Sequence, residues 1–271
     1  MQQVDNPNLQ NIIELKGIGQ SYDGGQNWII KDLNLIIEDK PNQGQFVVIL
    51  GMSGAGKSTL LRYISGLQKP TEGQVFVNGK ELDKDTRVSM VFQQYSSLPW
   101  KTVLENVALS LEFKGIGRKE REEKAMEMIK LVGLEGHQHK YAIYPTLSGG
   151  QLQRVAIARS LLANPEILLM DEPFGALDIK TRLQMQDLLT KLWDQFQSTI
   201  IFVTHDISEA VYLADDIYIM KAPPSKFVEH INIDLPLKRS REMKRDQRYT
   251  ELVHFVEDTM MNVASTHGGS F

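Results

Sequence analysis

Residues 46–59 read FVVILGMSGAGKST. The five apolar residues FVVIL (46–50) suit a short strand covered on both faces. They run straight into GMSGAGKST (51–59), a loop of small residues. Beyond it Leu60, Leu61, Ile64 and Leu67 fall on one side of a predicted helix. Gly51, Gly56, Lys57 and Ser58 stand at the fixed places of a G-x4-G-K-S/T pattern. Glycines let backbone N–H groups turn inward on phosphate oxygens, and the helix N-terminus adds positive potential. Lys57 then reaches the β- and γ-phosphates, and the Ser58 hydroxyl is placed to ligate magnesium. The candidate cradle is the whole loop: Gly51, Met52, Ser53, Gly54, Ala55, Gly56, Lys57, Ser58 and Thr59. The competing explanation is a plain glycine turn.

Further strands are predicted at 87–92, 166–170, 199–204 and 216–220. The stretch 179–197 predicts a helix, with Met185, Leu188, Leu189, Leu192, Trp193 and Phe196 spaced as a core-facing stripe. Strands alternating with helices imply an α/β fold with a largely parallel sheet. Residues from about 95 to 160 hold helical patterns and no clear strand run, as a helical lobe inserted between strands would. After about 222 come one expected strand, KFVEHINI (226–233), a helix-like segment ending near Val263, and a frayed end, STHGGSF.

The chain has 271 residues, 42% hydrophobic and 24% charged, an ordinary globular balance. A net charge of −4 speaks against a nucleic-acid partner. The absence of cysteine excludes disulfides and thiolate metal sites and is compatible with the cytosol. No apolar run approaches the length of a membrane span, and MQQVDNPNLQ (1–10) lacks the marks of a signal peptide. Membrane association is therefore expected to come through a partner.

The stretch EILLMDEP delivers Asp171 and Glu172 to a strand end, where a parallel sheet presents its active edge. Asp171 would hold magnesium, directly or through water, and Glu172 would polarise the attacking water; two solvated carboxylates are the alternative. TIIFVTHD ends another strand with His205, either a structural histidine or a contact to the γ-phosphate or Glu172. A second glycine turn, at Ser148, Gly149, Gly150 and Gln151, opens a helix that Ser148 can cap. Either it is an ordinary cap, or two half-sites meet across a dimer, each cradle facing the Ser148 turn of the other chain.

Over residues from about 12 to 220 the chain resembles the ATP-binding subunits of ABC transporters. It carries their ordered motifs: Walker A GMSGAGKST, a Q-loop at Gln93 in MVFQQ, the signature LSGGQ, Walker B ILLMDE, a D-loop GALD ending at Asp178, and a switch histidine, His205. The resemblance implies a P-loop NTPase core spanning 12–222, its helical subdomain at about 95–160, and a short C-terminal extension at 223–271. It implies ATP and Mg2+ as cofactors, a nucleotide-sandwich homodimer, Glu172 as general base, Gln93 near magnesium and the attacking water, and His205 at the γ-phosphate. It also implies an aromatic ring stacked on adenine. Tyr22, in GQSYDGG, is the candidate, with Trp28 as its competitor.

MVFQQYSSLPWKTVLENV, LLMDEPFGALDIKTR and INIDLPLKR resemble the importers of nitrate, sulfonates, taurine and bicarbonate-like anions. That kinship implies a transmembrane permease, a solute-binding protein, and a cytoplasmic position on the inner membrane face. Export and a nucleic-acid-handling ATPase are the alternatives; the latter kind carries long coiled coils between the Walker motifs, which this chain lacks. YSSLPW (95–100) is expected either to dock the permease or to pack within the lobe. The basic run LKRSREMKRDQR (237–248) is expected to be a solvated helix face or a surface for lipid or an acidic loop. HQH (137–139) has no third metal ligand nearby.

Overall fold

The computed structural model describes residues 11–40, 43–83, 88–94, 96–222 and 224–265. Two sheets form its frame. The larger has six strands: β3 (Phe46–Leu50), β6 (Ser89–Val91), β7 (Ile167–Asp171), β8 (Thr199–Thr204), β9 (Asp216–Lys221) and β10 (Lys226–Asn232), in the order β10-β9-β3-β8-β7-β6. Every neighbouring pair is parallel except β10 with β9. Parallel register sends the loops after β3, β6, β7 and β8 to one edge: Leu50 lies beside Thr204, Asp171 beside Val203, and Val91 beside Met170.

Alternation along β3 explains its unbroken apolar run. Phe46, Val48 and Leu50 join the core on one face, with Phe202, Leu189 and Trp193. Val47 and Ile49 join the core on the other, with Leu60, Leu61, Tyr63 and Ile64. The helix after the cradle, α1 (Lys57–Ile64), is shorter than its apolar spacing predicts. Gly66 takes the left-handed conformation at φ 74, and Leu67, expected on the buried side, is 62% exposed.

The second sheet is antiparallel: β1 (Asn11–Ser21), β2 (Trp28–Glu38), β4 (Glu72–Val77) and β5 (Lys80–Glu81), in the order β2-β1-β4-β5. None of its strands was legible as such. Repeated register shifts interrupt the β1–β2 pairing, with Gly17 and Asp32 at positive φ, and half of β4 is exposed.

Three helices lie between β6 and β7: α2 (Val103–Phe113), α3 (Arg118–Leu131) and α4 (Gly149–Leu162). Reciprocal side-chain caps start two of them, Thr102 with Glu105 for α2 and Ser148 with Gln151 for α4. Helix α5 (Ile179–Phe196) begins at Asp178 and ends with Gln197 in the left-handed region, close to the predicted 179–197. Helix α6 (Ile207–Leu213), a 3-10 turn (Arg241–Arg245) and α7 (Gln247–Ser265) complete the chain. The predicted strand at 87–92 is the shorter β6; Arg87, Tyr95, residues 1–10 and 266–271 lie outside the described residues.

The basic run 237–248 is paired or turned inward in good part. Arg239 is buried and donates to the carbonyls of Tyr212, Ala214, Leu235 and Pro236; Arg241 pairs with Asp187, and Arg248 with Asp234.

Candidate active site

The cradle loop leaves β3 where β9 crowds it. A side chain at Gly51 would come within 2.4 Å of the Met220 carbonyl oxygen, so only glycine fits. Gly56 is the N-cap of α1 at φ 87, and no side chain caps that helix, so its first N–H groups face the loop. Lys57 is 4% exposed and donates to the carbonyls of Gly51 at 2.9 Å and Met52 at 3.0 Å. Burial lowers its pKa, against the nearby charge of Glu172.

The end of β7 supplies the carboxylates. Ser58 Oγ donates to Asp171 Oδ1 at 2.8 Å. Burial holds the Asp171 carboxyl above its ordinary range, against the pull of that hydrogen bond. Glu172 turns the other way. Its backbone sits at φ 40, where a side chain is strained, and its N–H donates to Val203. One carboxylate oxygen, Oε1, lies 3.5 Å from Lys57 Nζ; the other, Oε2, lies 3.0 Å from His205 Nδ1. Gln93 follows β6: a side chain at Gly175 would lie 3.8 Å from Gln93 Nε2 and 3.7 Å from Glu172 Oε2. The edge of the sheet thus gathers two bonded groups, Ser58 with Asp171 and Lys57 with Glu172 and His205, with Gln93 beside the second.

Other predicted residues stand apart. Ser148 accepts from Gln151 N at 3.3 Å, and Gln151 Oε1 accepts from Ser148 N at 2.8 Å. A side chain at Gly150 would strike Thr181 Cγ2 at 2.5 Å, so α4 starts hard against α5. Asp178 caps α5 and accepts from Thr181 N and Oγ1 at 3.0 and 2.6 Å, which lowers its pKa. Among the described residues no hydrogen bond or ion pair joins 148–151 or Asp178 to the cradle. Tyr22, just past β1, is 70% exposed, and its hydroxyl accepts from Gln68. Trp28 packs instead on Gly19, whose side-chain position lies 2.7 Å from the indole. Tyr22 is the freer ring.

Some neighbours of the site carried no signal. Ser225 is fully buried, its hydroxyl has no hydrogen-bond partner, and it abuts Gly56 from the far side of a hairpin. Glu209, Thr204 and Arg182 lie behind His205. His137 accepts from Gln151 Nε2 at 3.0 Å, a role that HQH did not suggest. Among the described residues no cluster of three or more His, Asp or Glu could hold a metal by itself. Protein oxygens at Ser58 and Asp171 together with phosphate oxygens suit magnesium, which prefers few carboxylates.

Chemically, the cluster can neutralise a polyanion through Lys57 and the α1 amides, and can accept a proton at Glu172. A family model described as ABC transporter matches residues 31–175. An uncharacterized ABC transporter ATP-binding protein of Methanocaldococcus jannaschii is 46% identical over 221 residues, 81% of this chain and 80% of that one. The taurine import ATP-binding protein TauB of Pseudomonas savastanoi pv. phaseolicola is 42% identical over 246 residues, 89% of this chain and 92% of that one. Among solved structures, a dimeric ATP-binding cassette in a post-hydrolysis state with ADP and Pi is similar at TM-score 0.70 and 37% identity, covering 83% of this chain and 100% of that one. So is cbiO1 of Clostridium perfringens, part of an ABC transporter complex, at TM-score 0.72 and 25% identity, covering 92% and 99%.

Proposed function

The chain belongs to the ABC transporter family as an ATP-binding, ATP-hydrolysing subunit, and from that premise we propose that it drives import of a small anion of the sulfonate and taurine class. TauB relatives support import and that cargo class. Nitrate and bicarbonate belong to the same chemical range of small anions.

The observation that carries the hydrolytic reading is Glu172 held between Lys57 and His205 on a strained backbone. Lys57 and the α1 amides bind the β- and γ-phosphates of ATP. Glu172 accepts the proton of the attacking water while His205, bonded to Oε2, keeps the carboxylate aimed. Gln93 orients that water from the other side of Gly175. Ser58 and Asp171 would hold Mg2+, which neutralises charge on the phosphate oxygens.

The remainder of the site comes from a second copy. Gly149 and Gly150 start α4, and their amides have no intrahelical acceptor, which makes an anion site that this chain's own cradle does not use. Two copies then close two nucleotide sites, with the Tyr22 ring on adenine and Asp178 near the seam. In this reading residues 12–222 form the cassette and 223–271 its extension.

Among the described residues no helix is long and apolar enough to cross a membrane. The chain sits on the inner membrane face through a permease fed by a solute-binding protein. Trp100, Tyr141 and Tyr144, exposed by 69, 56 and 70%, are the helical lobe's contact for it. Leu98 is pinned by Asn106, which accepts from its N–H and donates to its carbonyl.

Reconstitution with a permease that co-purifies with the chain, supplied with its solute-binding protein, tests the cargo. Vesicles carrying ATP on one side should accumulate labelled taurine, alkanesulfonate or nitrate on that side. Movement away from ATP would replace import with export; no ATP-dependent movement of any of these anions would sink the proposed class.

A further inference from the structure

The chain beyond β10 folds back onto the elements that carry His205. Helix α7 packs on α6, whose N-cap, Asp206, follows His205 directly. Tyr249 Oη lies 2.8 Å from both the hydroxyl and the carbonyl oxygen of Ser208, and Arg241 pairs with Asp187 on α5 at 2.5 Å. Between these two anchors lies Lys244, partly buried, its ammonium 4.1 Å from the centre of the Tyr212 ring.

From Lys244 a line of hydrogen bonds runs to the two residues that flank His205. Lys244 Nζ donates to Gln186 Oε1 at 2.9 Å. Gln186 Nε2 donates to Glu209 Oε1 at 3.1 Å, and Thr204 Oγ1 donates to Glu209 Oε2 at 2.6 Å. The Asp206 N–H donates back to Thr204 Oγ1 at 3.0 Å. Gln186, Glu209 and Thr204 are 3, 4 and 3% exposed, so water does not replace a lost partner easily.

The donor and acceptor order of this line is set from its outer end. An ammonium only donates, so it fixes the Gln186 carbonyl toward itself and the Gln186 amide toward Glu209. The carboxylate then takes its second bond from Thr204. The Thr204 hydroxyl, having spent its proton, can only accept from Asp206. Thr204 and Asp206 are the two residues flanking His205.

We infer that Lys244 is a positioning residue for ATP hydrolysis: through Gln186, Glu209 and Thr204 it holds the backbone on both sides of His205, and with it the contact between His205 and Glu172. This rests on the reading of those two residues as the hydrolytic pair. Without the ammonium, the Gln186 amide is free to turn its oxygen toward Glu209, which sets two acceptors against each other. Burial already pushes the Glu209 carboxyl up and the Lys244 ammonium down, so neither ion is comfortable without these bonds.

Lys244→Met keeps the stem over Tyr212 and removes the charge. In the full chain it should lower kcat for ATP hydrolysis about 5- to 10-fold, the effect of about 1 to 1.4 kcal/mol on the barrier, with KM and ATP affinity unchanged. Lys244→Arg, which restores a donor, should recover most of the turnover. Gln186→Leu breaks the next link and should reproduce the loss, and the double variant should be no worse than either single one. The His205 ring resonances, recognised by their disappearance in His205→Ala, should shift in Lys244→Met.

An unchanged kcat in folded Lys244→Met and Gln186→Leu overturns the inference. So does a lowered kcat that comes with lost thermal stability and an unmoved His205 resonance. His205→Ala separates the two levels. If that variant hydrolyses ATP normally, the role of the pair falls and the inference with it. If it is inactive while Lys244→Met is normal, the positioning role alone falls.

Discussion

Asp171 ends β7 with its carboxyl turned to Ser58, while Glu172, one residue on, enters the left-handed region at φ 40 and turns to Lys57 and His205. The two acids should answer mutation differently. Glu172→Gln keeps the shape and removes the base. ATP binding should survive, and turnover should fall about 100-fold or more, the scale of losing general-base catalysis; a nearly normal turnover sinks the assignment. Asp171 carries a pKa raised mainly by burial, so its ionised form disfavours the folded state. The cost is complete above the folded pKa and disappears as pH falls below the ordinary carboxylate value, where both states are protonated. Asp171→Asn keeps an acceptor for Ser58 without the charge. Its nucleotide-free thermal midpoint should exceed that of the parent chain at neutral pH, and the gain should shrink on acidification, while hydrolysis is lost. A midpoint at or below the parent's at neutral pH counts against the buried ion.

At the scale of elements, legibility followed local chemistry. Strands β3, β7, β8 and β9 are buried almost throughout, so each shows as a compact apolar run. Helix α5 shows its stripe, with Met185, Leu189, Leu192 and Trp193 buried. The start of α4 shows through Ser148 and Gln151, because a capping box spans only three residues. The antiparallel sheet is different. Its pairing joins β1 to β4 across β2, β3, the whole cradle and α1, and register shifts from Asn11 to Ser21 blur the alternation that would mark a strand. Helix α1 was overestimated for a related reason. Leu67 has the right spacing, but Gly66 turns the backbone at φ 74 before the helix reaches it. Spacing reports which face a residue would occupy if the helix continued; it does not report where the helix stops.

For the whole molecule, one chain holds a cradle and a second glycine-bearing helix start that no hydrogen bond or ion pair connects among the described residues. The proposed two-fold dimer would set each cradle against the α4 start of its partner. Mixing a Lys57→Ala chain with a Ser148→Arg chain tests the arrangement. In the mixed dimer both lesions fall on one nucleotide site and the other is intact. Half of the dimers formed from equal amounts are mixed, so independent sites should recover about a quarter of the parent ATPase rate for an isologous pair. Mixed dimers that form but hydrolyse no faster than either variant alone would argue for sites built within one chain.

What the sequence by itself determined is local: the strand, small-residue loop and helix at 46–64, the acid pair at a strand end, the capped start of α4, and the order of motifs that marks the family. Each of these is written within a few residues, through backbone freedom, capping and apolar period. Only the tertiary structure decided which of them meet. Ser58 and Asp171 are 113 residues apart, and His205 and Glu172 are 33 apart. They converge because β3, β8 and β7 lie parallel in one register, with Leu50 beside Thr204 and Asp171 beside Val203. That register follows from burying both faces of the sheet at once: a slip of one residue would turn each core side chain to the opposite face. The reach of Lys244 toward His205 likewise depends on α7 and its preceding turn packing against α5 and α6, a contact that no pattern within residues 237–248 encodes.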